Sequence, residues 1–144
     1  MSTKVIAVIS TLALISGCAV VNAPSALQNL RDSSMSEVRD YAQDLAGLLR
    51  SGTSREEAIE ITKKSMADSL KDPESARFRN LRIKDFEGGA VVCGEINGKN
   101  SYGAYVGYQR FVASHKSGTL EDADSKYQAI NDAANAGFYA ACVH

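Results

Sequence analysis

Tryptophan is absent from the 144 residues, and there are only two histidines, two prolines and three cysteines. With so little imidazole, most acid–base and metal chemistry has no carrier. A two-histidine metal site would need both His115 and His144, the second at the chain end. No H-E-x-x-H helix, G-x-S-x-G elbow or phosphate loop occurs, so neither cofactor nor metal is expected. The charge is nearly balanced, sixteen basic against seventeen acidic side chains, which supplies no field for nucleic acid. The longest apolar run, Val5–Ile15, is too short to span a bilayer as a helix, where about 20 residues are needed. A hydrophobic fraction of 44% with few prolines is enough for one folded core.

What is present begins with that run. It follows Lys4 and ends at Ile15-Ser16-Gly17-Cys18, a basic start, an apolar stretch and a small-residue cleavage point. "ISGC" in this position resembles the lipobox of bacterial lipoproteins. The resemblance implies removal of residues 1–17, diacylation of the Cys18 thiol and acylation of its new amino group. Ala19 after the cysteine, rather than aspartate, implies sorting to the outer membrane, lipid-anchored and facing the periplasm. Residues 18–34, rich in Asn, Ala, Ser and Gln, read as a flexible tether, and residues 35–144 as a single domain. Export leaves Cys93 and Cys142 in an oxidising compartment, where an even remainder of two is expected to pair.

The domain reads as α+β. Val38, Tyr41, Ala42, Leu45, Leu48 and Leu49 recur at helical spacing, with Ser34 or Ser36 as N-cap and Gly52 as stop. A second helix opens at Ser54, three residues before Glu57, with Ala58, Ile61, Met66 and Leu70 on its stripe. Asp72-Pro73-Glu74 suits a short turn of helix. From Arg79 the period becomes two, then Gly88-Gly89 and Asn97-Gly98 mark turns. The expectation is a three-stranded antiparallel meander with the N-terminal helices and a C-terminal helix on one face, the last helix burying Tyr127, Ile130, Ala134, Gly137, Phe138 and Ala141.

Candidate binding residues cluster in the second turn and the strand after it. Asn97, Lys99 and Asn100 suit either a ligand-binding tip or the local hydrogen bonds of a tight turn. Tyr102, Tyr105 and Tyr108 recur every third residue with Gly103 and Gly107 between them. Either a bulge gathers them on an exposed platform, or, the preferred reading, two are core and one is exposed. Arg77, Arg79, Arg82 and Lys84 form a basic ridge, read first as a solvated edge that discourages edge pairing and second as a contact for lipid phosphate or acidic cell-wall polymers. No catalytic residue is assigned.

"DPESARFRN" followed by "VVCGEINGKNSYGAYVGYQRF" is similar to a pattern in small uncharacterised exported proteins and lipoproteins of Gram-negative bacteria, some phage-borne. Asp72, Pro73, Ser75, Ala76, Phe78 and Asn80 carry its first part. Cys93, Gly94, Asn97, Lys99, Asn100, Gly103, Tyr105, Gly107 and Phe111 carry its second, and Cys142 its end. The resemblance implies export but no activity. The functional expectation is a non-enzymatic interaction module held at the membrane by its lipid, meeting an envelope protein or cell-wall component. The alternatives are an envelope hydrolase using Glu95 or Asp85, or the two as a glycosidase-like pair, a structural lipoprotein whose first helix packs on another chain, and a phage-exclusion factor. Cys18→Ser is expected to abolish metabolic palmitate labelling and leave the precursor uncleaved; unchanged labelling would refute the lipobox reading.

Overall fold

The computed structural model describes residues 25–143. The expected signal segment, Cys18 and His144 lie outside the described residues. Among the described residues the fold is α+β, with four helices and a four-stranded antiparallel sheet of order β1-β2-β3-β4. Helix α1 is Ala26–Arg50 and α2 is Arg55–Asp68; a 3-10 turn, Pro73–Ser75, leads into the strands β1 (Arg77–Phe86), β2 (Gly89–Asn97), β3 (Gln109–Ala113) and β4 (Gly118–Leu120). The chain closes with α3 (Gln128–Ala134), α4 (Ala136–Phe138) and a π turn over Tyr139–Val143.

Helix α1 starts earlier than the expected boundary at residue 35. Ser25 caps it by accepting from the Gln28 amide at 3.2 Å, so residues 26–34 are helix and not tether. The amide of Gly137 donates to Ser34 Oγ at 3.1 Å, and a Cβ at Gly137 would lie 2.4 Å from the Ser34 carbonyl oxygen. The C-terminal segment thus packs against α1 at Ser34, while residues 26–33 remain exposed. The cap expected at Ser54 is present, accepting from the Glu57 amide at 3.1 Å.

Strand β2 is buried along nearly its whole length, so helices cover both faces of the sheet rather than the single face expected. Its odd residues Val91 and Cys93 join Val38, Tyr41, Phe138 and Cys142. Its even residues Val92 and Ile96 join Leu45, Ala58, Met66 and Phe111. Because alternate strand residues point to opposite faces, these are two cores separated by one sheet. Helix α1 contributes to both, Val38, Tyr41 and Ala42 to one and Leu45 to the other.

The close approach of α1 to the sheet is made at Gly89, where a Cβ would sit 2.3 Å from the Ala42 carbonyl oxygen. This also moves the first turn. Phe86 pairs with Gly89, so the two loop residues are Glu87 and Gly88, both at positive φ (45° and 78°), one residue earlier than the expected Gly88-Gly89. Such left-handed pairs match the twist of the strands they join.

The strand count also departs from the expectation. A fourth strand, only three residues long, pairs Leu120 with Phe111; so short a segment has no periodicity to read. The expected tight turn at Asn97-Gly98 is instead a long loop, residues 98–108, with one bridge between Lys99 and Tyr105. Gly98 packs against Leu70: a Cβ there would lie 2.7 Å from Leu70 Cδ1, so that side chain would have to move.

The single C-terminal helix expected is broken at Asn135. That buried side chain donates to the Asp122 carbonyl at 2.6 Å and accepts from the Asp122 amide at 2.8 Å, closing the preceding loop onto the helix. Gly137, Phe138 and Ala141 are buried as expected, Ala133 is buried where Ala134 was expected, and Tyr127 and Ile130 are exposed. Cys142 is disulfide-bonded to Cys93 across a separation of 49 residues, worth about 4 kcal/mol in the chain-entropy account. Arg82 adds a second tie, donating to the Cys142 carbonyl at 2.7 Å.

Tyr41 links α1 to β4: its hydroxyl donates to Glu37, and Thr119 Oγ1 also donates to Glu37 at 2.7 Å. Burial first, and the Glu37 hydrogen bond second, push the Tyr41 phenol up to about 12. A raised folded value favours the protonated fold, so this stabilisation is complete below about pH 10, the unfolded value, and is lost as pH rises through about 12. In absorbance titration of the tyrosines, Tyr41→Phe is expected to remove a step near pH 12; a step that persists unchanged would refute the assignment. Gly89→Val is expected to destabilise the fold by about 1–3 kcal/mol in urea melts, through forced separation of α1 from β2.

Candidate functional site: an arginine–tyrosine face and its loop

The exposed end of the molecule is built by the 98–108 loop and the open half of the sheet face that the C-terminal helices do not reach. Every residue from 101 to 110 is exposed. The loop is nevertheless held in shape by its own side chains. Asn100 Oδ1 accepts from the amides of Tyr102 at 2.9 Å and Ala104 at 3.1 Å. Asn97 Oδ1 accepts from the Gly107 amide at 3.2 Å. Gly103 and Gly107 both take positive φ, 79° and 105°, where a side chain would be strained. Asn97 and Asn100 are therefore turn builders, and the contact surface is what they display.

None of the three tyrosines enters the core, which corrects the preferred expectation. Tyr102 is 94% exposed, and Tyr105 and Tyr108 are each 37% exposed. The latter two are covered by arginines of β1. The Arg77 guanidinium stacks 4.2 Å from the Tyr105 centroid, and that of Arg79 lies 3.9 Å from Tyr108. Lys99 Nζ approaches Tyr105 at 5.7 Å. Guanidinium over a ring contributes roughly 0.5–1 kcal/mol at exposed sites, so each pair holds its tyrosine upright without hiding it.

The basic ridge consequently divides. Arg77 and Arg79 belong to the tyrosine face. Arg82 is committed to the Cys142 carbonyl, and Lys84 is likewise engaged within the chain. The cause is a bulge between Arg79 and Arg82, where Asn80 adopts a left-handed backbone, φ 55°, that asparagine tolerates better than most residues. The expected ridge includes Arg77 and Arg79 but not their pairing with tyrosines, because the ring partners arrive from a loop more than twenty residues later. The available signal was their two-residue spacing on the same face as Glu95 and Asn97.

Glu95 sits at the centre of this face. It accepts from Asn80 Nδ2 at 2.7 Å and Arg79 Nε at 2.7 Å. The Asn80 hydrogen bond first, then that of Arg79, lowers its pKa from the ordinary value, the opposite of what a general acid requires. Asp85 is paired with Arg55 at 2.9 Å and lies opposite Ala90, five residues from Glu95 along β2 and about 17 Å away at strand rise. Glycosidase pairs are separated by at most about 9.5 Å, so the two carboxylates do not form one. Beyond Glu95, Arg110 pairs with Glu121 through Nε at 2.6 Å and lies over Phe138 at 5.2 Å, closing the face against the helices.

Among the described residues, no group of three or more His, Cys, Asp or Glu side chains is placed to hold a metal ion. His115 Nδ1 is buried without a hydrogen-bond partner there. No helix of the described residues is long and apolar enough to cross a membrane. Compared with known proteins, the chain matches no family model, no curated protein and no solved structure.

Much of the motif pattern nonetheless has a mechanical reason. Ser75 donates to the Asp72 carbonyl at 2.7 Å and accepts from the Lys99 amide at 3.0 Å, tying the 3-10 turn to the loop. Phe78 meets Phe111 edge to face at 6.2 Å, over Gly94, whose Cβ would strike Leu81 at 2.5 Å. Asn100→Ala is expected to cost about 0.5–1.5 kcal/mol, since two exposed amides exchange their acceptor for water, and to raise hydrogen exchange at Tyr102 and Ala104 first. Unaltered exchange there would show that Asn100 does not shape the loop.

Proposed function

We propose that the protein is an outer-membrane lipoprotein, anchored through lipid on Cys18 and facing the periplasm, whose domain acts as a non-enzymatic interaction module. The observation that carries the reading is the pair of arginine–tyrosine stacks, Arg77–Tyr105 and Arg79–Tyr108, on an exposed but internally braced loop. Rigid aromatic and guanidinium groups lose little conformational freedom on binding and dominate contact energetics. The partner is an envelope protein or cell-wall component. A hydrolase reading gains no support from Glu95, whose carboxyl is held ionised by Asn80 and Arg79. An interface through the first helix is disfavoured because Val38, Tyr41 and Leu45 are buried in the chain's own cores.

The start of α1 at Ala26 also bears on geometry. Seven residues, 19–25, lie between Cys18 and the helix, a contour of at most about 25 Å. The domain therefore works close to the bilayer surface on a short lead, with α1 as its stem. A photo-crosslinking amino acid placed at Tyr102 or Tyr108 in living cells is expected to capture a partner, and one at exposed Glu56 on α2 is not. Arg77→Met with Arg79→Met should reduce capture at least fivefold. Equal capture from Glu56, or none from the loop, would overturn the reading.

A further inference from the structure

The end of the molecule where α1 begins is built from two helices that start together. Ser25, Leu27 and Gln28 line one hollow with Ala129, Asp132 and Ala133, Arg31 lines the next with Asp132 and Ala136, and Ser34 meets Gly137. Helices α1 and α3 therefore run side by side in the same direction, and their first turns form one tip. Its surface carries large apolar groups: Leu27 and Leu30 are 42% and 37% exposed, and Tyr127 and Ile130, on either side of Gln128 and Ala129, are 58% and 37% exposed. Lys126 Nζ lies 5.0 Å from the Tyr127 ring centroid, and an amphipathic ring beside a flexible cation suits a membrane–water interface. The tip offers no strong field of either sign, because Arg31 and Lys126 are set against Asp32, Asp124 and Asp132.

The chain path decides what this tip faces. Seven residues, 19–25, separate Cys18 from α1, so a contour of at most about 25 Å joins the lipid-bearing cysteine to the tip. Glu56 stands beyond the other end of α1, whose 25 residues span about 37 Å. Four partly exposed side chains would bind a bilayer weakly on their own. Beside a covalent anchor they act at high effective concentration and need only to orient the domain.

We propose that the tip formed by Leu27, Leu30, Tyr127 and Ile130 rests in the interfacial layer of the bilayer, so that α1 stands on the membrane by its first turn. The proposal rests on acylation of Cys18 and adds which surface of the domain the membrane receives. Apolar burial carries the contact, and ionic strength should leave it unchanged.

The chain lacks tryptophan, so Tyr127→Trp introduces a single fluorescent reporter, and Glu56→Trp, at an exposed position on α2, a distant one. Each acylated full-chain variant is reconstituted in phosphatidylethanolamine–phosphatidylglycerol vesicles whose acyl chains carry bromine close to the headgroups. Relative to unbrominated vesicles, emission of Tyr127→Trp is expected to fall by about half at low and high salt, and that of Glu56→Trp to stay unchanged. Adding Leu27→Glu and Ile130→Glu to Tyr127→Trp should restore most of the emission, while palmitate labelling, the disulfide and the circular dichroism spectrum persist. Acylated Tyr127→Trp protein that is unquenched, is quenched no more than Glu56→Trp, or is released by salt would overturn the orientation alone. A wild-type chain that is never acylated would overturn the anchor and the orientation with it. A blue shift of Tyr127→Trp emission with protein concentration in detergent, without quenching in vesicles, would give the tip to a second copy of the chain and overturn the proposal.

Discussion

Because β2 is buried on both faces, each neighbouring element has to reach it closely, and the whole domain is arranged around that requirement. Helix α1 meets it at Gly89, where no side chain intervenes between strand and Ala42 carbonyl. Val91 and Cys93 then receive the C-terminal helices, and Val92 and Ile96 receive α2 and Phe111. A strand packed in this way cannot slip by one residue without exchanging its two cores. The disulfide at Cys93 fixes one of those faces covalently to the end of the chain.

This arrangement leaves the far end of the sheet free for another purpose. Near the Glu87-Gly88 turn, helices and strands converge, and apolar burial supplies the energy. Toward Asn97 the face becomes ionic and aromatic: Arg77, Arg79, Glu95 and Arg110 alternate with tyrosine rings and do not bury them. Stability and display are thus segregated along one sheet. The loop joins them, since Ser75 and Lys71 tie it to the helical side while Asn97 and Asn100 give it a fixed shape. Its two sides differ in chemistry, arginines over tyrosine rings on one and a surface of Leu70, Ile96 and Leu120 on the other.

The sequence by itself determined those features whose cause is local. The Ser54 cap, the period-two strand after Arg79 and the pairing of Cys93 with Cys142 all follow from spacing, turn chemistry or cysteine count. Turn glycines and asparagines were legible as turn formers for the same reason, because positive φ and side-chain-to-backbone hydrogen bonds depend on a few adjacent residues.

Tertiary structure decided the remainder, wherever two distant segments had to meet. Helix α1 meets the C-terminal segment at Ser34, where Gly137, more than a hundred residues later, admits its backbone. Tyr105 and Tyr108 stay outside the core because arginines of an earlier strand cover their rings. The last helix breaks because Asn135 serves Asp122. The basic ridge separates at a bulge because Asn80 turns left-handed to hold Glu95. In each case the residue types permitted both outcomes, and the contact partner, invisible at short range, chose between them.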